Sequence, residues 1–452
     1  MKKLLFSIVI SLLMFSSAKA SHILGGQITW TCLTTGDYIF ELVVFRDCDG
    51  ATFQFVPQTL DIHGSPAPRG ANGAIVRSIV MNPDSVKWLQ AKNGDTSPDC
   101  DQGHPNDPPS CANGDKGTIQ QFFFRSAPVR LDGVPPSTGW RFVWEAPCCR
   151  PNDVENLVTG GSMILRAEMF PTRTNQNTYP CIDSSPQFGA LPTNLVCRGN
   201  VFTYNHTAVD RDLDSLLYSW DRTWNRPGAN PSPVTYDPRY SPTNPTPDQT
   251  FSPINIPSTL DPITGIIKTA VYSDVGTGPK SYLTVIRVDA IRDGRVISST
   301  YRELPYYFYD CDLLQSGTQN NVPSIFIDGQ PAEGLIEDIV AGDTVEIPFQ
   351  ARDPDFTGYG VGLQYVTVTP RGLMFSTDLQ DDSLCQTSFI EPCATLRNKG
   401  PYLNTAGEWE LGGYAGVITE LFWATQCKHI KTATTGVPGA NFGIYNFVMR
   451  VQ

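Results

Sequence analysis

Residues 280–311 read KSYLTVIRVDAIRDGRVISSTYRELPYYFYDC, and this stretch decides the fold class. Two runs rich in β-branched and aromatic residues flank Asp293-Gly294, which is the strongest short signal for a two-residue hairpin turn. The pattern predicts two long antiparallel strands. The second run ends in Tyr306 to Tyr309, which is aromatic throughout, so we expect a buried strand there rather than a sugar-binding platform.

Strand patterns of the same kind recur along the chain. The run DYIFELVVFRDC (37–48) follows a turn signal, and NFGIYNFVMRV (441–451) has the same composition. Asp84 to Lys92 is the short helix candidate, and the proline-rich stretch 226–249 predicts a long surface loop. The sequence therefore predicts an all-β protein built from β-sandwiches.

The first 20 residues have the features of a secretory signal peptide. Lys2 and Lys3 precede an apolar run, and Ala18-Lys19-Ala20 provides a cleavage site with small residues. That run is too short to cross a bilayer, and no later stretch reaches about 20 apolar residues, so we expect a secreted protein without a transmembrane helix. Removal of the peptide takes the net charge from −12 to −15, which disfavours nucleic acid and anionic membranes as partners.

All 12 cysteines lie after the signal peptide, and their even number in an exported chain favours disulfides over metal thiolates. No C-x-x-C pair exists, which weakens zinc and redox interpretations. We predict two local bridges, Cys100 with Cys111 and Cys385 with Cys393, because each pair brackets a short polar loop. Sequence alone leaves open the pairing of the others, which are Cys32, Cys48, Cys148, Cys149, Cys181, Cys197, Cys311 and Cys427.

An internal repeat organises the second part of the chain. The stretch CRGNVFTYNHTAVDRD (197–212) aligns without gaps with VAGDTVEIPFQARDPD (340–355), so that Gly199 matches Gly342 and Asp210 matches Asp353. An aromatic closing strand follows each copy. The repeat predicts two successive Ig-like sandwiches, at 181–313 and 314–452, after an N-terminal β-sandwich domain at 21–180.

Several motifs together resemble one family. The start SHILGGQITWTC (21–32) and the strand end R-D-C at 46–48 are similar to the opening of large secreted surface proteins of gliding Bacteroidetes-type bacteria, although Gln27 stands where Glu is usual. The segments CCRPNDVENL (148–157) and LDPITGIIKTAV (260–271) also resemble that family. Family members usually extend further and end in a type IX secretion signal, and nothing in this sequence looks like that ending. The resemblance implies either the front portion of a longer adhesin or a member with another export route.

The same resemblance bears on the repeated segment. The pattern A-x-D-x-D-x-D-x-L-x-Y at residues 208–218, with D-P-x-T-G-x-I at 261–267, is similar to PKD-like or cadherin-like Ig modules. The family resemblance implies an adhesin or structural protein of the cell surface, with a link to gliding motility. Its partners would be extracellular proteins or glycans.

Asp210, Asp212 and Asp214 stand at alternate positions of TAVDRDLDSLLY (207–218). In an extended chain these carboxylates share one face, and their repulsion requires water or a cation. Ca²⁺ suits such a group because it takes about six to eight oxygen ligands. A solvated turn is the favoured interpretation of the motif, and a calcium site formed by the three aspartates is the alternative. An EF-hand is disfavoured because the sixth position is Ser215 rather than Gly.

The second copy of the repeat is a weaker calcium candidate. It keeps Asp353 and Asp355 but places Pro354 between them and lacks a third acid. Trp220 and Trp224 lie near the proline-rich loop and are candidates for stacking on a carbohydrate.

Motifs that mark catalysis are missing from the sequence. It contains no H-E-x-x-H, no G-x-S-x-G and no P-loop, and His206 is expected to have a structural role. We therefore predict a non-catalytic secreted adhesin or structural surface protein. The alternatives are a carbohydrate-binding or, less readily, carbohydrate-hydrolysing protein, and a subunit of a periplasmic or outer-membrane assembly held to the cell by an attachment partner.

Overall fold

The protein is described by a computed structural model, which covers residues 23–96, 111–146, 150–151, 153–158, 161–172, 181, 183–226, 231–274, 279–310, 323–332, 336–353, 363–386, 389–404, 407–430 and 445–451. Nearly all regular structure in these ranges is β-strand, which confirms the all-β fold class. The helix α1 (Ser85–Gln90) follows Asp84, whose side chain accepts a hydrogen bond from the backbone N–H of Lys87. No helix in the described ranges is long and apolar enough to cross a membrane.

The N-terminal part forms a seven-stranded antiparallel array in the order β1-β2-β5-β4-β3-β6-β7. Its strands are β1 (Ile23–Cys32), β2 (Tyr38–Asp47), β3 (Gln58–His63), β4 (Ser78–Pro83), β5 (Ile119–Ser126), β6 (Trp140–Glu145) and β7 (Ile164–Met169). A short 3-10 helix, Lys92–Gly94, follows α1.

The middle part contains the predicted long hairpin. Its strands are β8 (Gln187–Phe188), β9 (Leu195–Cys197), β10 (Phe202–Asn205), β11 (Ala208–Val209), β12 (Ser215–Trp220), β13 (Trp224–Asn225), β14 (Ser232–Pro233), β15 (Ile256–Leu260), β16 (Ile266–Ala270), β17 (Lys280–Arg292) and β18 (Arg295–Tyr309). The turn residues Asp293 and Gly294 have φ values of 52° and 71°, the left-handed conformation that a tight hairpin turn requires. The aromatic end of β18 is buried from Tyr306 to Phe308, as expected.

The strand β18 joins the N-terminal and middle parts into one sheet. It pairs along its length with β17, with β7 at residues 298–300, and with β1 through Gly26–Glu303 and Gln27–Arg302. It therefore bridges the first and last strands of the N-terminal array, and the pairings close into a cycle of eight strands. Strands from both sides of residue 180, the predicted domain boundary, thus belong to one hydrogen-bonded sheet.

Two apolar cores lie on opposite faces of this sheet. Along β2, Phe40, Leu42 and Val44 enter the first core, while Val43 and Phe45 enter the second. This explains why residues 42–45, LVVF, are continuously apolar rather than alternating, because both faces of the strand are covered there. The first core contains Trp30, Trp140 and Trp144, and the second is covered by the three-stranded sheet β10-β16-β15.

The C-terminal part forms a β-sandwich around a third core. One sheet has the order β20-β19-β21-β26-β23 and the other has the order β24-β25-β22-β27. The strands are β19 (Ser324–Ile327), β20 (Gln330–Pro331), β21 (Thr344–Arg352), β22 (Tyr365–Gly372), β23 (Thr395–Arg397), β24 (Tyr402–Leu403), β25 (Trp409–Tyr414), β26 (Gly416–Ala424) and β27 (Phe447–Val451). A 3-10 helix, Cys427–Ile430, follows β26.

Three disulfides are described, and they test the predicted local bridges. Cys385 bonds to Cys393, as predicted. The predicted bridge between Cys100 and Cys111 is wrong, because Cys111 bonds to Cys48 at the end of β2. The third bridge joins Cys32 to Cys181. Cys197 is also disulfide-bonded and Cys427 is a free, exposed thiol, while Cys100, Cys148, Cys149 and Cys311 lie outside the described residues.

The side chain of Gln27 faces a buried arginine, Arg302, so a carboxylate at position 27 would have a buried cationic partner. The Nε atom of Arg302 donates to the Gln27 Oε1 at 2.7 Å, and its Nη1 donates to the Ala190 carbonyl and the Tyr204 hydroxyl. Burial lowers the pKa of Arg302, although arginine remains protonated. In the described part of the chain this guanidinium contacts no carboxylate, so its charge is held only by neutral acceptors.

We expect the substitution Gln27→Glu to stabilise the protein by about 1–2 kcal/mol, because a buried charge gains a charged hydrogen-bond partner. Chemical denaturation followed by tryptophan fluorescence measures the change. The matched control is Gln187→Glu, which removes the amide donor that bonds to the Thr31 hydroxyl and should not stabilise. Equal or lower stability of Gln27→Glu relative to the parent chain would contradict the prediction.

Candidate functional site

The aspartate motif forms a compact loop between β11 and β12 rather than an extended strand. The Asp210 Oδ1 accepts hydrogen bonds from the backbone N–H groups of Asp212 and Asp214, at 2.9 and 3.1 Å. Leu213 has a φ of 60°, which reverses the chain and lets the loop fold over the Asp210 side chain. The loop therefore brings the three carboxylates together by local hydrogen bonds. They do not lie on one face of a strand, as their alternate spacing would place them in an extended chain.

Two residues distant in sequence complete this group, which we call the aspartate cluster: Asp183, Asp210, Asp212, Asp214 and Arg292. Arg292 ends β17 beside the hairpin turn, and its guanidinium bonds to Asp214 through both Nε and Nη2. The same Nη2 lies 3.0 Å from the Asp183 Oδ1 and 3.8 Å from the Asp212 Oδ2.

Sequence reasoning missed Asp183 and Arg292. Asp183 belongs to no charge pattern, and it reaches the cluster because the segment after Cys181 follows β1. That path is visible in the hydrogen bond between the backbone N–H of Trp30 and the Ser185 hydroxyl. Arg292 precedes the turn dipeptide Asp293-Gly294 directly, so its place beside the turn could have been predicted, but the loop that it faces could not.

The cluster is buried and carries excess negative charge. The side chains of Asp183 and Asp212 are 0% and 1% exposed, and that of Asp214 is 6% exposed. Burial raises the pKa of Asp183 and of Asp210 well above the usual range, and the neighbouring aspartates raise both further. Burial also raises the pKa of Asp214, against the opposing effect of Arg292. One guanidinium thus faces four carboxylates, and burial disfavours the ionised form of three of them, Asp183, Asp210 and Asp214.

Several oxygen atoms of the cluster have partners of their own, and two do not. The Ser298 hydroxyl donates to the Asp183 Oδ2, and the Ser184 backbone N–H donates to the Asp212 Oδ2, each at 2.6 Å. Among the described residues, the Asp210 Oδ2 and the Asp212 Oδ1 are buried and have no hydrogen-bond partner. One carboxylate oxygen from each of Asp183, Asp210 and Asp214 lies within 4.8 Å of the others, a spacing that allows them to share one metal ion.

The second copy of the repeat shares the local geometry of the first only in part. Gly199 and Gly342 both have positive φ, 82° and 114°, and each precedes a strand that leads to a buried aspartate, Asp210 or Asp353. Asp353 is 3% exposed. Asp355 lies outside the described residues, so a second acidic cluster is not described there.

The remaining candidate residues are engaged within the protein. Trp220 packs against the second core, and the guanidinium groups of Arg141 and Arg166 lie over the Trp224 ring, at 5.2 and 4.7 Å from its centroid. His206 is fully buried, and its Nε2 lies 3.0 Å from the Tyr306 hydroxyl. Burial lowers the pKa of His206 well below its usual value, with a contribution from Arg302, so the ring is held neutral within the core.

The chain was compared with known proteins by sequence and by structure. It matches no protein family, no curated protein and no solved structure. The class that the described residues define is an all-β protein with disulfide bridges, three large apolar cores and a smaller fourth one, and one buried acidic cluster.

Proposed function

We propose that this protein is a non-catalytic, secreted structural protein or adhesin of the cell surface. The observation that carries the proposal is the bridging of distant segments by disulfides. The Cys32–Cys181 and Cys48–Cys111 bonds close loops of 149 and 63 residues and tie the strands of the N-terminal array to the loops around them. Such bonds persist in oxidising compartments outside the cytoplasm. The acidic balance of the chain, with a net charge of −12, also favours partners other than nucleic acid.

The resemblance to surface proteins of gliding bacteria supports the adhesin role and a link to motility. In this proposal the eight-stranded cycle and the C-terminal sandwich act as rigid modules that present loops to an extracellular protein or glycan. A carbohydrate-binding protein and a subunit of an outer-membrane assembly are the alternatives. Trp220 and Trp224 lend no support to the first of these, because both rings already contact the protein's own side chains.

The location of the protein in its native cells tests the proposal. We expect a membrane-impermeant biotin reagent to label the protein on intact cells, and we expect most of its cysteines to resist alkylation until a reductant is added. A cytoplasmic protein labelled only after lysis, with reduced cysteines, would contradict the proposal. Retention of the protein by a membrane complex in a pull-down would favour the assembly subunit, and selective binding on a glycan array would favour the carbohydrate-binding protein.

A further inference from the structure

The aspartate cluster contains more negative charge than its protein partners balance. Arg292 brings one positive charge to four carboxylates, and three of these side chains are at most 6% exposed. Uncompensated ionised carboxylates are costly to bury, so such a group requires protons or a further cation. The two unpartnered oxygens, on Asp210 and Asp212, show where this requirement is unmet.

The spacing of the carboxylate oxygens favours a bound cation over protons as the way to balance this charge. Ca²⁺ holds oxygen ligands at about 2.3–2.6 Å, so any two ligands of one ion lie within roughly 5 Å of each other. The oxygens of Asp183, Asp210 and Asp214 satisfy this limit, since they lie within 4.8 Å of one another. The cluster contains carboxylates and neither histidine nor cysteine, a donor set that favours a hard cation over Zn²⁺.

Protein groups hold most of the other oxygens of the cluster in place, and one of these groups, Arg292, would share its oxygens with an ion. The Asp210 Oδ1 is fixed by two backbone N–H groups of its own loop, which leaves the Oδ2 free to bind. The Ser298 hydroxyl bonds to the Asp183 Oδ2, and Arg292 bonds to the Asp183 Oδ1 and to both oxygens of Asp214, so a bound ion would share these oxygens with the guanidinium. The carboxylates therefore keep their orientation without an ion, which lowers the conformational cost of binding one.

We propose that Asp183, Asp210 and Asp214 form a Ca²⁺ site, with Asp212 beside it and Arg292 as the fixed internal counter-charge. Ca²⁺ bound there would connect two separate segments, the one after Cys181 that contains Asp183 and the loop between β11 and β12 that contains Asp210 and Asp214. Both segments already hydrogen-bond to the long hairpin, through Arg292 to Asp214 and through Ser298 to Asp183, so the ion would fix them beside it. The proposal goes beyond the cell-surface role, and each can fail without the other, because calcium binding is measured on the purified chain and location on cells.

The test uses the full mature chain after removal of metal with EGTA and desalting. We expect isothermal titration with CaCl₂ to show one site, and we expect 10 mM CaCl₂ to raise the melting temperature by about 5 °C or more. NaCl at matched ionic strength controls for screening, and MgCl₂ tests selectivity. Absence of both binding heat and a melting shift in the parent chain at 10 mM CaCl₂ would overturn the proposal without recourse to any variant.

The substitution Asp210→Asn locates the site, because the amide oxygen still accepts the two backbone hydrogen bonds while the charge is lost. We expect Ca²⁺ affinity to fall at least tenfold, and we expect the melting temperature in EGTA to stay equal or rise, since one of the repelling charges is removed. Asp183→Asn is the second variant if Asp210→Asn fails to fold. The control is Asp261→Asn, at an exposed turn where the carboxylate accepts from Ile263 and Thr264. Unchanged affinity in both cluster variants would place the ion elsewhere and overturn the proposal.

Discussion

Replacement of Arg150 by methionine is expected to lower the free energy of unfolding by about 3–5 kcal/mol, the typical cost of leaving one partner of a buried ion pair alone. Arg150 is fully buried, and its Nε and Nη2 donate to the Glu303 Oε1 at 2.8 and 2.6 Å. Its Nη2 also donates to the Thr223 hydroxyl at 2.6 Å. Without the guanidinium, the Glu303 carboxylate remains in a site that is only 4% exposed.

The large effect follows from the position of Glu303. This residue lies on β18 opposite Gly26 of β1, where the middle part of the chain closes the N-terminal array. Arg150 also donates to the Ser162 carbonyl, so its side chain connects the segment before β7 to the closing strand. We therefore expect the Arg150→Met chain to lose stability across residues 23–309 as a unit, rather than to release one loop.

Urea denaturation followed by tryptophan fluorescence measures this effect, since Trp30, Trp140 and Trp144 report on the first core. The double variant Arg150→Met/Glu303→Leu is expected to be more stable than Arg150→Met alone, because it also removes the buried Glu303 carboxylate that would otherwise lack its cationic partner. Arg226→Met serves as the control: its partner Glu145 is 38% exposed, and we expect a loss of at most about 1 kcal/mol. A loss for Arg150→Met no greater than that of Arg226→Met would contradict the buried-pair argument.

Removal of the Cys32–Cys181 bond is expected to have the second large effect. This bond closes a loop of 149 residues, and the chain-entropy relation assigns about 5 kcal/mol to a loop of that length. Strain and residual structure in the unfolded chain reduce such values, so we expect the double variant Cys32→Ser/Cys181→Ser to lose about 3–5 kcal/mol. The loss is measured by denaturation under non-reducing conditions.

The Cys385–Cys393 bond provides the matched comparison, because it closes a loop of only 8 residues. The same relation assigns about 2.5 kcal/mol to that loop, so Cys385→Ser/Cys393→Ser should destabilise the C-terminal sandwich by less. If the short bridge proves the more costly of the two to remove, then loop length does not govern the contribution of these disulfides.

Features that depend on neighbouring residues were predictable from the sequence. The turn at Asp293-Gly294, the cap at Asp84 and the bridge between Cys385 and Cys393 each follow from a few adjacent side chains. The composition of the strands was sufficient for the all-β class.

Features that depend on long-range pairing were not predictable. Nothing in β1 or β18 indicates that Gly26 pairs with Glu303, and nothing near Cys111 identifies Cys48 as its partner. For the candidate site, the motif located three aspartates, but Asp183 and Arg292 join them only through the path of the folded chain. Contacts of this kind are selected by the packing of the whole sheet, which short patterns do not encode.

The pairing of β1 with β18 has a consequence for the time course of synthesis. Gln27 bonds to Arg302, which follows it by 275 residues, so β1 gains this partner only after β18 has been made. At about 5–20 residues per second this delay is roughly 15 to 55 s. During it, one edge of a nascent β-strand remains without its native partner and is open to intermolecular association. Productive folding therefore depends on keeping the chain unassociated until residue 309 has been delivered.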